Sequence, residues 1–492
     1  MAEQSVLLEE MLAGAEASVK ELGERLTELE ARQDAVGLEG AILEMVLKLG
    51  AAWLGLVLSA WAVSLAEGAG TRRACACGGV ARWVSVRGKT ILTLLGKVRY
   101  ERVYFHCKAC GHGEGLGDRT WGLIKTRTSP ALKQLLAYLS ATTVGFASVA
   151  KDVCRSLRWP ESWLSGKQVQ RLAEPVGTRL SELEAAKVAS WWQALTAGLS
   201  AELALARPES PLGESDEKAK RLYIEMDGIF ARLRGNDGRG SDYWREVKVG
   251  AVFWAESGRH ASKLAELVGS VGARLAGSVR VWVDRPKGAV SYVAGLWSAS
   301  SFGVRLYAEA VVRGLERAAE VVVLGDGAVW IWRLAEEHFP GAIQILDFHH
   351  AKEWVWQVAQ SVWGEGSQRA KAWAETQIEQ HLIQGDAQGL VEAIGALPKV
   401  APPEGQDKSV PEQAMGYFQN NASRMRYPEY RAKGLEIGSG IAESSGRRVV
   451  GVRCKQPGMR WSESGLSAII DLRTHILSNR YDSAIADLPM AA

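Results

Sequence analysis

The sequence predicts a multidomain protein of the α plus α/β class, and three observations support this prediction. The first 70 residues carry a helical heptad pattern, and two closely spaced cysteine pairs follow them. Beyond residue 219, apolar strands alternate with helical segments, as in a domain with a mixed sheet. The 492 residues suffice for about three domains. With 47% hydrophobic and 23% charged residues, a mainly disordered chain is excluded.

Residues 1–70 are predicted to form a helical arm. Apolar residues recur there at alternating steps of four and three, which is the seam of a coiled coil. The seam residues are Leu8, Leu12, Ala15, Val19, Leu22, Leu26 and Leu29. The helix either joins two copies of the chain as a dimerisation arm or packs within one chain, and the heptads leave both alternatives open.

Residues 49–66 carry no charge and approach the length of a membrane span. Glycines and serines interrupt the segment, and no basic cluster flanks it, which favours a buried or dimer-forming helix. The acidic start of the chain lacks the basic region of a signal peptide, so we expect a cytoplasmic protein without a membrane partner.

Residues 71–125 are predicted to form a zinc-ribbon-like module. Four of the six cysteines lie there, in two pairs near glycines, separated by hairpin-forming sequence: Cys75, Cys77, Cys107 and Cys110. Four thiolates at the ends of two hairpins can complete a tetrahedral structural Zn²⁺ site. The first pair has a gap of one residue instead of two. A module without metal, or a site in which His106 or His112 replaces a sulfur, is the alternative.

Residues 126–206 are predicted to form a helical DNA-binding domain. Segments 146–157 and 165–176 fit a helix-turn-helix, in which Ser165 caps the second helix. That helix would expose Lys167, Gln168, Gln170 and Arg171. Any small helical bundle gives the same pattern. Charge supports DNA binding, because residues 71–175 carry a net +12, whereas residues 1–70 carry −8 and the whole chain only +3.

A polar, proline-bearing linker at residues 207–217 is predicted to separate these modules from the α/β domain. Residues 219–352 form its main part, with strands expected at 222–227, 247–254, 321–326 and 343–347 and helices after the last two. Residues 353–435 are predicted to be an all-helical insertion, and residues 436–492 to complete the domain.

Three acids are candidates for catalysis. Asp227 and Asp326 each end an apolar strand and precede glycine, and functional groups of open α/β sheets lie at such strand ends. Glu443 follows a Gly-Ser-Gly break at the start of a predicted helix, with Arg447 and Arg448 one turn further on. Carboxylates that meet repel each other unless a proton or a hard cation such as Mg²⁺ neutralises them. A turn residue is the alternative for each aspartate, and Glu225 is a competitor for Asp227.

Asp347 also ends a strand and is followed by His349 and His350. The group could supply a metal ligand or orient one. Core histidines without a catalytic role are the alternative.

A long series of segments resembles the ISKra-four type of bacterial insertion-sequence transposase, which is related to the Mutator superfamily of DDE transposases. The similar segments are 222–228, 245–250, 323–332, 338–353, 437–443, 449–455 and 458–461. The resemblance implies an RNase H-like catalytic domain, interrupted by the helical insertion. It also implies that Asp227, Asp326 and Glu443 are the catalytic acids and bind a pair of Mg²⁺ or Mn²⁺ ions.

The same resemblance implies further properties. Asp347 and His350 match a signature that follows the second aspartate in Mutator-type enzymes. The protein would bind terminal inverted repeats as a homodimer or larger homo-oligomer, associate with the bacterial nucleoid, and cleave and rejoin DNA with target DNA as partner. The Cys-x-Cys pair departs from the expected Cys-x-x-Cys, and Ser444–Gly446 are poor helix formers after Glu443.

Trp461 beside Arg460 is a candidate for stacking on a displaced base, with core packing as the alternative. Two other functions remain open from the sequence. One is a catalytically silent DNA-binding regulator derived from a transposase, and the other is a metal-dependent nuclease that hydrolyses DNA without strand transfer.

Overall fold

The computed structural model describes residues 2–32, 34–200, 202–205, 221–235, 241–255, 290–438 and 445–488. The chain forms two compact units, residues 1–179 with 485–492 and residues 180–484. The division falls inside a long helix, whereas the linker at 207–217 lies outside the described residues. The structure therefore confirms a mixed helix-and-sheet, multidomain architecture.

The first unit begins with α1 (Ala2–Arg32) and α2 (Ala35–Glu67), which pack antiparallel within the chain. Two ion pairs and the indole N–H of Trp53, which donates to the Met11 carbonyl at 3.0 Å, hold them together. Asp34 caps α2 by accepting a hydrogen bond from the Gly37 N–H. The heptad helix thus packs inside one chain, while its seam residues Leu8, Leu12, Val19 and Leu26 stay exposed.

An antiparallel sheet follows, in the order β1 (Arg72–Ala74), β2 (Val80–Thr93), β3 (Gly96–Cys107) and β4 (Gly113–Gly115). The long β2–β3 hairpin is the hairpin material expected between the cysteine pairs. One end of it, around Ile91, Val98 and Tyr100, packs with Leu58 of α2 and Leu123 into a small core.

Among the described residues, α2 alone is long and apolar enough to cross a membrane. It packs against β3 through a small-residue face. A Cβ at Gly55 would collide with the Arg99 carbonyl oxygen, and the Ser59 hydroxyl accepts a hydrogen bond from the Glu101 N–H at 2.9 Å. One face of α2 is therefore docked on the sheet, as the prediction of a buried helix requires, but Trp61, Val63 and Leu65 of the apolar segment stay exposed.

The helical module consists of α3 (Pro130–Thr142), α4 (Phe146–Ser156), a 3₁₀ turn (Glu161–Trp163) and α5 (Gly166–Thr196). Its core is formed by buried residues such as Leu132, Val149, Val153 and Val169. Ser165 caps α5 as predicted, since its hydroxyl accepts from the Gln168 N–H and its N–H donates to the Gln168 side chain. The helix runs twenty residues beyond the predicted end at residue 176.

The second unit contains a five-stranded mixed sheet in the order β7-β6-β5-β8-β9. The strands are β5 (Arg221–Leu233), β6 (Tyr243–Ala255), β7 (Val290–Gly295), β8 (Glu320–Gly325) and β9 (Ile343–Leu346). The β5–β6 and β6–β7 pairs are antiparallel, and the β5–β8 and β8–β9 pairs are parallel. All four predicted strands are confirmed, and β7 is an additional one.

Helices flank this sheet and form the insertion. They are α6 (Ala299–Val312), α7 (Val329–His338), α8 (Phe348–Trp363), α9 (Gln368–Gln377), α10 (Ala387–Gly395), α11 (Val410–Asn421), α12 (Tyr427–Ala432), α13 (Val452–Cys454), α14 (Glu463–Leu477) and α15 (Tyr481–Ala486). Short turns are 3₁₀ at Leu315–Arg317 and Ala422–Arg424, and π-helical at Ile378–Leu382 and Arg447–Gly451.

Helices α8 to α12 are an insertion in the strict sense. The chain leaves the sheet after β9 and returns beside its point of departure, where the Phe348 N–H donates to the Ile437 carbonyl at 2.9 Å. The Glu436 N–H then donates to the Tyr223 hydroxyl of β5 at 3.0 Å. Both ends of the insertion therefore meet the same region of the sheet.

Candidate active site and metal centre

Asp227 and Asp326 lie side by side because their strands are neighbours. The parallel register of β5 and β8 runs from Arg221 opposite Glu320 to Met226 opposite Gly325, so the two aspartates are the next residues in line. The prediction that Asp227 ends its strand is wrong. β5 continues to Leu233 because β6 still supplies an antiparallel partner, with Asp227 opposite Val249.

Asp347 joins them from the next strand. It follows β9, which pairs with β8 up to Leu346 opposite Gly325, and its N–H donates to the Gly325 carbonyl at 2.8 Å. Its side chain is 1% exposed and caps α8. β5, β8 and β9 are parallel neighbours in the sheet. Asp227, Asp326 and Asp347 each follow the last parallel pair, so the three carboxylates lie at the same edge of the sheet.

One oxygen of each carboxylate is held by a backbone N–H. The Gly228 N–H donates to Asp227 Oδ1 at 2.7 Å, the Ala328 N–H to Asp326 Oδ1 at 2.9 Å, and the His349 N–H to Asp347 Oδ1 at 2.7 Å. Each donor lies only one or two residues after its aspartate, so these hydrogen bonds fix the orientation of the carboxylates.

The surroundings of Asp227 raise its proton affinity. Burial raises the pKa of Asp227 to about 6, and the charge of Asp326 adds to this, with a smaller contribution from Asp347. The Gly228 N–H and His350 act in the opposite direction. Burial and the two neighbouring carboxylates together outweigh these effects, so the protonated form of Asp227 is favoured relative to an aspartate in water.

His350 lies on the first turns of α8. Its Nε2 is 3.9 Å from Asp347 Oδ2, and its Nδ1 is 3.6 Å from Glu353 Oε2. Both distances exceed a hydrogen bond. The structure therefore brings the predicted Asp347–His350 pair to the site with His350 about one-third exposed and able to turn.

Glu443 lies outside the described residues. On the described part of the chain, Gly446 reaches the site, since a Cβ there would lie 3.3 Å from Asp227 Oδ2. Arg447 and Arg448 are exposed on the π-helical turn, and Arg448 hydrogen-bonds to Tyr292 of β7. Glu225, the competitor for Asp227, is fully buried.

Sequence reasoning missed Tyr417. Its hydroxyl donates to the Asp326 carbonyl at 2.8 Å, and a Cβ at Gly327 would run into its ring. Tyr417 belongs to α11 of the insertion, 91 residues from the aspartate. No local pattern could have linked the two, because the contact depends on how the insertion folds back.

The chemistry of the aspartates fits a hard divalent cation. Carboxylate oxygens are the ligands that Mg²⁺ prefers, and a bound cation would supply the positive charge that the raised pKa of Asp227 shows to be missing. Among the described residues, however, only the four cysteines form a group of at least three potential ligands within 4.8 Å of one another. The three aspartates are spread more widely.

The four cysteines could hold a zinc ion. Cys75 Sγ lies 3.6 Å from Cys110 Sγ, and Cys77 Sγ lies 3.7 Å from Cys107 Sγ. A tetrahedral site with Zn–S bonds of about 2.3 Å places its sulfurs roughly 3.8 Å apart. Backbone N–H groups, that of Cys110 first, lower the pKa of Cys107 to about 7 and so favour the ligating thiolate. His112 faces Glu114 instead of the sulfurs, at 3.2 Å.

The residues predicted to touch DNA differ in exposure. Lys167, Gln168 and Arg171 are exposed on α5, as expected, and Gln170 is half-buried and donates to Glu174. Arg460 is exposed and 3.5 Å from Asp242.

Trp461 does not fit a stacking role. It is 4% exposed, its indole N–H donates to the Cys454 carbonyl at 3.0 Å, and the Arg453 guanidinium covers its ring. The alternative, core packing, is correct, because the backbone beside Trp461 bridges to the end of β5.

Comparison with known protein families gives a match to part of the chain. Residues 309–480 match an uncharacterised protein family, UPF0236, which is associated with transposase-like proteins of insertion sequences. The match covers β8, β9, the insertion and α14, and hence Asp326 and Asp347. No curated protein matches the chain.

Proposed function

We propose that the chain is a DNA transposase of a bacterial insertion sequence, with an RNase H-like catalytic core of the ISKra-four type. The observation that carries this proposal is the alignment of Asp227 and Asp326 at the ends of paired parallel strands, with the pKa of Asp227 raised by burial and by Asp326. Paired, uncompensated carboxylates suit an enzyme that works on phosphodiesters with bound Mg²⁺ or Mn²⁺.

Three further observations support the proposal. β5, the first strand of the mixed sheet along the chain, lies in the centre, with β6 antiparallel on one side and β8 parallel on the other. This arrangement suits an RNase H-like core. The all-helical insertion lies between the second and third proposed acids. The matching family is associated with transposase-like proteins.

Asp227, Asp326 and Glu443 would hold the metal ions, and Asp347 and His350 would support them. When bound, the ions supply charge that activates the attacking hydroxyl and stabilises the leaving oxygen of an in-line displacement. The chain's own contribution is orientation. The N–H groups of Gly228 and Ala328 fix one oxygen of each aspartate and so set the direction in which the other points.

The first unit would bind the terminal inverted repeats. Its basic surface includes Arg87, whose guanidinium lies 4.0 Å from the centre of the Tyr104 ring, and the exposed Lys167 and Arg171. We propose that a zinc ion in the cysteine cluster stabilises this surface and that the exposed apolar residues of α1 and α2 join two copies of a cytoplasmic, nucleoid-associated protein.

The test supplies the purified full chain with Mg²⁺, a pre-cut element end and a supercoiled target plasmid. Joined products support the transposase, and hydrolysis without joining indicates a nuclease. Binding without either reaction indicates a regulator. Asp326→Asn should keep DNA binding and abolish both reactions, whereas Asp407→Asn, an exposed loop position, should change neither. Full activity of Asp326→Asn would remove Asp326 from the site.

A further inference from the structure

We propose that a cleft beside Asp326, formed by α7, α8 and α11, binds an unpaired nucleotide of the DNA substrate. The inference rests on the proposed function and names a subsite for it. The cleft has a volume of about 720 Å³ and begins at Gly327, immediately after Asp326. A nucleotide bound there would lie next to the carboxylates.

The position of the cleft is fixed by Tyr417. This residue lines the cleft with its ring and donates its hydroxyl to the Asp326 carbonyl. The same side chain therefore contacts both the turn that carries the aspartate and the contents of the cleft. Occupancy of the cleft and the position of Asp326 are thereby connected through one residue.

Aromatic rings form one wall. Trp354 of α8 and Tyr417 of α11 are half-buried, with ring centres 5.3 Å apart and planes 34° apart. Both line the cleft, so part of each ring is open to it. Such a surface stacks on any base that has left its own stack, whereas the bases of an intact duplex present only their edges.

Basic side chains line the rim of the cleft, where the phosphate of a bound nucleotide would lie. Arg333 and Lys408 are exposed, line the cleft and make no ion pair with any described residue. The lining also contains two acids. Glu336 lies 3.8 Å from Arg424, and Glu412 accepts from the Ser409 N–H and hydroxyl and interacts with the charge of Lys408. With Arg424 included, three cations line the cleft against two carboxylates, so the net charge of the lining is positive.

The lining also offers an amide that a base could bind. Asn420 of α11 lines the cleft and is exposed, whereas the Trp332 N–H and the Asn421 side-chain oxygen are buried and closed to a ligand. Aromatic faces, amide and cations together suit a nucleotide, and the volume lies in the range of small-ligand sites.

The test uses the full chain without added Mg²⁺ or Mn²⁺, so that binding is measured without cleavage. The probe is a short single-stranded oligodeoxynucleotide with one 2-aminopurine, whose fluorescence is quenched when it stacks on an aromatic ring. We expect quenching on binding, and much weaker quenching with a duplex of the same sequence. Trp354→Ala should weaken binding by roughly ten-fold or more, and Trp354→Phe should restore most of it. Arg333→Ala should weaken binding and reduce its salt dependence.

Trp363→Ala is the matched control. Trp363 lies on the same helix, pairs with Trp373 at 5.8 Å and has Arg369 over its ring, but it does not line the cleft. It should bind the probe like the unaltered chain. Equal binding by Trp354→Ala, or quenching that does not exceed the duplex value, would overturn the cleft proposal. If strand joining persists in that case, the transposase proposal stands without the cleft; if joining is absent as well, both fail.

Discussion

Each of the two units holds an aspartate away from the open surface, buried Asp118 and half-buried Asp227, and their surroundings are opposite in charge. In the first unit, Asp118 is 4% exposed and accepts hydrogen bonds from Lys89 and Arg102, both at 3.0 Å, and from the Tyr100 hydroxyl at 2.6 Å. In the second unit, Asp227 faces Asp326 and Asp347, and its pKa is raised to about 6. The charge of Asp118 is neutralised by neighbouring cations, whereas the charge of Asp227 is disfavoured by neighbouring carboxylates.

This difference separates structure from function. Lys89 and Arg102 neutralise the charge of Asp118, so no further ligand need bind there. Ionised Asp227 instead costs stability, and a bound cation or proton would offset that cost.

The largest expected effect comes from removing the ligands of the zinc ion. Cys107→Ser should abolish zinc in a metal analysis of the purified chain and open β1 to β4 to hydrogen exchange, because structural zinc contributes roughly 10 kcal/mol of apparent folding energy. Affinity for DNA should fall, while the amides of β5 to β9 exchange as before. Cys154→Ser, at a buried cysteine outside the cluster, should leave the zinc content unchanged. Purified protein without zinc would show that the cluster folds unaided.

The next effect is the loss of the Asp118 carboxylate. Asp118→Ala leaves two nearly buried cations without their partner, which should destabilise β2 and β3 by about 3–5 kcal/mol, measured by hydrogen exchange of their amides. Asp152→Ala on the exposed face of α4 provides the control. Exchange rates that stay the same would mean that the ion pairs contribute nothing net.

Replacing Asp227 should have the opposite sign. Its pKa is raised from 3.8 to about 6, so the folded state holds the proton more tightly, and stability in EDTA falls as the pH rises through that window. Asp227→Asn removes this loss and should stabilise the second unit by about 3 kcal/mol at neutral pH. Denaturation followed at several pH values measures it.

Magnesium provides the counterpart of that measurement. It should stabilise the unaltered chain and leave Asp227→Asn unchanged, since only a ligand that binds the folded state shifts the transition. If Asp227→Asn is less stable than the unaltered chain at every pH, the carboxylate is structural, and the contrast with Asp118 disappears.

The smallest effect concerns His350, whose charge lowers the pKa of Asp227. His350→Gln should move the pH dependence of stability upward by less than about one pH unit. His381→Gln is a suitable control, because that histidine pairs with Asp386 at 2.7 Å in the insertion and does not act on Asp227. An unchanged or downward-shifted pH dependence would show that His350 does not lower the proton affinity of Asp227.

Local patterns predicted much of the architecture. The Ser165 cap, the alternation of apolar strands with helices and the cysteines on glycine turns each depend on residues close in the chain, and each appears in the structure. The heptad pattern predicted the helix and left its partner open; in the structure α1 packs on α2 of the same chain, and seam residues such as Leu8 and Leu12 stay exposed. An apolar stripe predicts that one face of a helix packs against another surface, but it does not identify that surface.

By itself, the sequence determined most helices and strands, the uneven distribution of charge along the chain, and the positions of the acids at or near strand ends. Tertiary structure decided which strands became neighbours, and with them the meeting of Asp227, Asp326 and Asp347, the burial of Trp461 and the contact of Tyr417 with Asp326. The reason is that helix caps and strand periodicity act over a few residues. The register of the strands and the place where the helical insertion packs depend instead on how much surface the whole unit buries. No single segment of the sequence carries that information.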